Sequence, residues 1–214
     1  MKTTNSRKRL SRCLMALGLA LLAAAGGLVA YNVLWREQRA EAATRQVCQA
    51  LKEQVMPSEP LAEYPDVSEM QSARLGDTSY IGILDIPALE LSLPVERDFS
   101  YPALKENVCR YQGSYLEDDM IIAGHNYSCH FKDIHTLAAG DLVIFTDVIG
   151  GVFTYQVESI EVLDGDAGEQ LPWDQPGLTL FTCTYSGQQR FVVRCAPASS
   201  AAAVQDINTS SSAG

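Results

Sequence analysis

The spacing of apolar and polar positions divides the chain into an apolar block, a polar approach and a long series of short alternating segments. Leu14 to Leu34 is 21 residues without a charge, roughly 30 Å of helix and enough to cross a bilayer. From Trp35 to Met56 the chain is rich in Ala, Gln, Glu and Arg, which predicts a helical stalk continuing from that block. Met56-Pro57-Ser58-Glu59-Pro60 stops it. Leu61 to Asp77 is polar and without periodicity and reads as a linker. From Ser79 onward the period drops to two. Tyr80–Pro87 and Leu89–Val95 alternate, Ser100–Lys105 predicts one helical turn, and Val108–Gln112 and Met120–Ala123 predict brief strands. His130–Leu137 predicts a short helix, closed by Ala138-Ala139-Gly140. Asp141–Thr146, Gly151–Leu163, Leu178–Thr182 and Arg190–Cys195 complete the strands. Seven or eight strands and no long helix after the stalk predict an all-β barrel or sandwich. Gly165, Gly168, Pro172, Pro176 and Gly177 mark the connection before Leu178 as a loop, and the Ala/Ser-rich stretch from Ala198 predicts a disordered tail.

Charge orients these pieces. Lys2, Arg7, Lys8, Arg9, Arg12 and Arg36 are the only charges before residue 37, whereas the whole chain carries a formal −10. Basic residues before the apolar block put the N-terminus inside and the domain outside a cell membrane. A cleaved signal peptide is the competing reading, with Ala23-Ala24-Ala25 as its cleavage site. The apolar run continues past that site to Leu34, which favours an uncleaved anchor. The expected division is a cytoplasmic basic tail (1–13), a membrane anchor (14–34), an extracellular stalk and linker (35–77), a folded domain (78–197) and a tail (198–214). So acidic an exposed domain argues against nucleic acid as a partner.

The candidate chemistry lies where strands meet loops. Thr179-Leu180-Phe181-Thr182-Cys183 ends an apolar run on a cysteine, Arg190 opens the next run, and His125 follows Ile121-Ile122-Ala123-Gly124. Acyl transfer from a peptide needs a nucleophile, a proton carrier and a stabiliser of the oxyanion. Cys183 can attack as thiolate, and His125 titrates near neutrality and can protonate a leaving amine. Arg190 is permanently charged with a planar fork of donors. It can steady the oxyanion, fix the substrate backbone or favour the thiolate, and the sequence leaves these roles open. Taken singly, such a cysteine is more often an inert core thiol, the arginine a solvated edge charge and the histidine a turn residue.

The five-residue motif resembles the Thr-Leu-x-Thr-Cys signature of the sortases, cysteine transpeptidases of Gram-positive cell surfaces, and the order His, Cys, Arg agrees. The resemblance covers about Ser79 to Cys195. It implies an eight-stranded barrel and cleavage of a Leu-Pro-x-Thr-Gly-like sorting signal at the Thr–Gly bond through a Cys183 thioester. Transfer to an amine of peptidoglycan or of a pilin would follow, so the implied partners are surface proteins or pilins bearing that signal and their amine acceptors. It further suggests Thr182, Asn126 and Trp173 as substrate contacts, Trp173 being equally a packing anchor. Subclass stays open. Tyr64-Pro65-Asp66 is a poor echo of the class C lid, and the loop before Leu178 is short for class B. No cofactor is implied, and the acidic cluster that some sortases use for calcium cannot be placed. The spacing of His125, Cys129, His130 and His135 fits no common zinc pattern, so no metal is expected. His130 and His135 then read as surface or groove residues. With Cys183 kept free, Cys109 and Cys195 are the disulfide pair to test. The alternative function is a membrane-tethered binding domain without catalysis. Papain-like and NlpC-type peptidases place cysteine before histidine, the reverse of the order here.

Overall fold

The computed structural model describes residues 3–57, 59, 61, 63–164, 176–183 and 188–198. The chain divides into two compact units, Met1–Ala40 and Glu41–Gly214. The first belongs to α1 (Thr3–Gln54), whose stretch Leu14–Asn32 is long and apolar enough to cross a membrane and buries nothing within the protein.

In the second unit the last turns of α1 form part of the folded domain. Thr44, Cys48 and Leu51 recur at helical spacing and are buried, Leu51 completely. Cys48 and Leu51 pack on Tyr80 and Ile83. Removing Leu51 from water contributes roughly 2 kcal/mol. Pro57 ends the helix, since it has no N–H to continue the ladder. The segment read as a linker is strapped to the barrel: the Leu61 amide donates to the Gly150 carbonyl at 3.1 Å. Tyr64 donates its hydroxyl to Asp147 at 2.5 Å and packs edge-on against Phe153. The Gln71 amide donates to the Tyr115 hydroxyl at 3.1 Å.

The strands are β1 (Ala73–Leu75), β2 (Thr78–Ile86), β3 (Leu91–Glu96), β4 (Val108–Gln112), β5 (Ile121–Ala123), β6 (Leu142–Asp147), β7 (Val152–Asp164), β8 (Leu178–Cys183) and β9 (Gln189–Pro197). Their order is β1-β2-β3-β4-β5-β8-β9-β7-β6, and β6 returns to pair with β2. Eight strands therefore close a barrel, and β1 extends one edge. Alternation fills the interior with Leu84, Ile86, Val108, Leu180 and Val193, among others. A bulge between Tyr80 and Gly82 shifts the alternation by one residue, so Tyr80 and Ile83 both face α1 while Ile81, Leu84 and Ile86 face the interior. One short helix, α2 (Tyr101–Glu106), lies between β3 and β4, with the Ser100 hydroxyl accepting from the Ala103 amide as N-cap.

Two expectations change. The helix expected over 130–137 is only a single 3-10 turn, Ile134–Thr136. The Asp133 carbonyl accepts from both the amide and the hydroxyl of Thr136, which closes the turn at three residues. Cys109 and Cys195 are separate thiols. Cys195 lies in the barrel interior, whereas Cys109 is in register with Ala123, Phe181 and Val192 on the outer face. The sheet stands between them, and a disulfide needs its Cα atoms within about 7 Å.

Candidate active site

Three strands bring the chain-distant residues to one rim of the barrel. β5 and β8 run parallel, with Ala123 opposite Phe181, and the Gly124 amide donates to the Phe181 carbonyl at 3.0 Å. Parallel neighbours end at the same edge, so His125 and Cys183 leave the sheet side by side in the backbone. β9 is antiparallel to β8 and starts at that edge, with Arg190 directly opposite Cys183. The two-residue period puts positions 181 and 183 on one face of β8. The Cys183 side chain and Trp173 lie outside the described residues.

Arg190 extends over the Phe181 ring, its guanidinium carbon 5.6 Å from the centroid. Among the described residues its Nε is buried without a hydrogen-bond partner. Thr182 alternates inward, only 1% exposed, and its hydroxyl also lacks a partner. Asn126 is half-buried beside His125.

The loop carrying His125 is held from behind. The Phe131 amide donates to the His125 carbonyl at 3.1 Å, and the His130 amide donates to the Tyr127 carbonyl at 2.9 Å. Phe131 is fully buried, and its ring lies against Gly124, where a Cβ would come within 2.3 Å of ring carbon. Glycine before the histidine is thus required by close approach. The His125 imidazole stacks on Tyr127 with centroids 3.9 Å apart and planes 10° from parallel. Burial lowers the His125 pKa, and the Lys105 ammonium on α2 lowers it further.

His130 is not the surface residue expected from the sequence. It is 1% exposed, because Phe131 draws the loop into the core. Neither ring nitrogen has a partner of good hydrogen-bond geometry. Burial pushes its pKa down to about 4, the Glu106 backbone opposing only in part. This shift has a consequence for stability. Between about pH 6.5 and 4 the unfolded chain binds a proton that the folded chain refuses, so stability falls as pH falls through that window. The loss approaches about 3 kcal/mol at the lower end. Urea unfolding at pH 7 and pH 4.5 should show it, and His130→Gln should flatten the difference. An equal pH dependence in the variant would assign the loss to other groups.

The described thiols away from the rim are unsuited to nucleophilic attack. Burial pushes Cys109 and Cys195 up to about 12 and Cys48 up to about 11. Among the described residues no three His, Cys, Asp or Glu side chains gather to hold a metal. His135, the last histidine of the loop, stacks on Phe191 with centroids 4.9 Å apart. Tyr127, Lys105 and the buried state of His130 were missed in the sequence. A tyrosine two residues from a histidine carries no signal that their rings will stack.

Residues 84–198, more than half of the chain, match the family model described as Sortase domain. The chain belongs to the sortase family. It is 29% identical over 144 residues to sortase A of Bacillus anthracis, across 61% of this chain and 66% of that protein, just under two thirds of the relative's length. Among solved structures, a Clostridium perfringens sortase D5 transpeptidase superposes with a TM-score of 0.55 at 20% identity, covering 74% of this chain and 99% of that one. Sortase C1 of Streptococcus agalactiae gives 0.52 at 22% identity, covering 76% and 89%. These structures share the fold with this sortase-family chain.

Proposed function

We propose that this chain is a membrane-anchored transpeptidase acting on proteins with a Leu-Pro-x-Thr-Gly-like sorting signal. The observation that supports it best is the backbone register: parallel β5 and β8 end together and Arg190 lies opposite Cys183. In this reading the Cys183 thiolate attacks the threonine carbonyl carbon. Arg190 donates to the resulting oxyanion or to the adjoining substrate backbone. The C–N bond breaks, His125 in its protonated form gives its proton to the departing glycine amine, and a thioester remains. An amine of peptidoglycan or of a pilin then attacks the thioester. His125 takes up its proton, and the thiolate leaves. Asn126, Thr182 and Trp173 are proposed substrate contacts, Thr182 only if the rim opens, since its side chain is buried. The apolar stretch Leu14–Asn32 holds the domain at the membrane with the N-terminus inside.

The test is mass spectrometry of the full chain in detergent micelles, incubated with a Leu-Pro-x-Thr-Gly peptide library and no amine. The expected result is a mass gain on Cys183 equal to the acyl half of one or a few peptides. No adduct with any peptide, with Cys183 also inert to a thiol electrophile, would overturn the reading in favour of a tethered binding domain.

A further inference from the structure

We propose that Tyr127 is the positioning residue for His125, its ring fixing the plane of the imidazole and favouring the imidazolium in the place a carboxylate takes in Ser-His-Asp sites. This rests on the reading of His125 as the acid–base group. The stack is close and parallel, 3.9 Å and 10°. Both partners are pinned through their carbonyls, His125 by the Phe131 amide and Tyr127 by the amides of His130 and Lys132. The His130 ring is tilted against Tyr127, with centroids 5.8 Å apart and His130 itself buried. Tyr127 thus neighbours two imidazoles whose backbones belong to one tight loop.

Its role follows from what surrounds His125. Among the described residues the Nδ1 atom is buried without a hydrogen-bond partner, and no described carboxylate sets the ring's orientation there. Among the described residues, the charged and titratable groups that act on the ring are Lys105 from α2 and His130 on the same loop, while the backbone register sets positions 183 and 190 opposite one another at the same rim. Lys105 and burial both disfavour the imidazolium. Among the described residues, the electron-rich Tyr127 face is the group placed to offset them. A histidine that must donate a proton at one step and accept one at the next needs such an offset.

The experiment is an NMR titration of the full chain, histidine-labelled, in detergent micelles. The chain has 3 histidines, so His130→Gln and His135→Gln assign the His125 signal. Tyr127→Leu keeps apolar bulk and removes the π face. It should lower the His125 pKa by about half a unit to one unit. It should also cut kcat on a Leu-Pro-x-Thr-Gly peptide by about tenfold, with KM little changed. Tyr127→Phe keeps the ring and should rescue both. Wild-type pKa and kcat in Tyr127→Leu would overturn the proposal, as would a Tyr127→Phe enzyme as damaged as Tyr127→Leu. A wild-type chain with no turnover would strike the acid–base reading of His125, and the titration would still decide the stack.

Discussion

Turnover of a sorting-signal peptide is expected to fall to background in Cys183→Ala and by about two to three orders of magnitude in Arg190→Ala. The two losses have different origins. Without Cys183 no thioester forms, so the acyl adduct disappears along with the product. Without Arg190 the nucleophile remains, but charge developing on the carbonyl oxygen meets fewer donors. Arg190 is suited to that task because it is already partly desolvated: its Nε is buried without a partner among the described residues, and its guanidinium lies over the Phe181 ring. A donor that has lost its water beforehand strengthens most when an anion forms beside it. Arg190→Lys separates two roles. If the positive charge serves mainly to favour the Cys183 thiolate, lysine restores most of the rate, and the rate of alkylation at fixed pH follows turnover. If the planar fork of donors is needed, lysine alkylates normally and still turns over slowly. The second pattern is expected. Wild-type turnover in Arg190→Ala would remove Arg190 from the mechanism.

What the sequence shows and what it hides follow from the range of the interactions. The strands were legible because alternation is local, and Leu142–Asp147 and Leu178–Cys183 lie within a residue of where the pattern predicts them. The rim was legible because a motif ending one strand, a histidine ending another and an arginine opening a third need only register to meet. Side-chain contacts made across the fold were not. Tyr64 reads as one aromatic in a polar stretch, yet its hydroxyl and ring attach that stretch to Asp147 and Phe153. Asp147 itself is fully buried and also accepts the amides of Ile149 and Gly151. His130 reads as a surface residue because a polar residue next to a turn suggests solvent, whereas its neighbour Phe131 draws the loop inward. The cysteine pairing failed on facing. Strand position is visible in a sequence, but the number of strands between two cysteines, and the side of the sheet each occupies, depend on topology.

The seam that closes the barrel is tightest at Gly82, so Gly82→Ala is expected to be among the most destabilising single substitutions in the domain. Gly82 lies opposite Asp147 where β2 meets β6, the pairing that joins the two ends of the sheet. A Cβ there would come within 2.2 Å of the Thr146 carbonyl oxygen, 2.8 Å of the Phe145 ring and 2.9 Å of the Asp147 Cα. The ring can move aside, but the two main-chain atoms cannot without parting the strands. Overpacking of this kind costs about 3 kcal/mol, roughly a 10 °C fall in the melting temperature of a domain this size. The surrounding structure spreads the damage, because Asp147 also anchors Tyr64 and the β6–β7 turn. Gly140→Ala is the control. That glycine has φ +97 and nothing within 4 Å of an added Cβ, so it should show only the smaller cost of a strained backbone, about 1 kcal/mol. Phe145→Leu added to Gly82→Ala sharpens the test. Relief of the ring contact alone should restore little stability, because the carbonyl of Thr146 remains in the way. Full recovery in the double variant would show that the seam tolerates a side chain and that the barrel closes by packing rather than by close backbone approach.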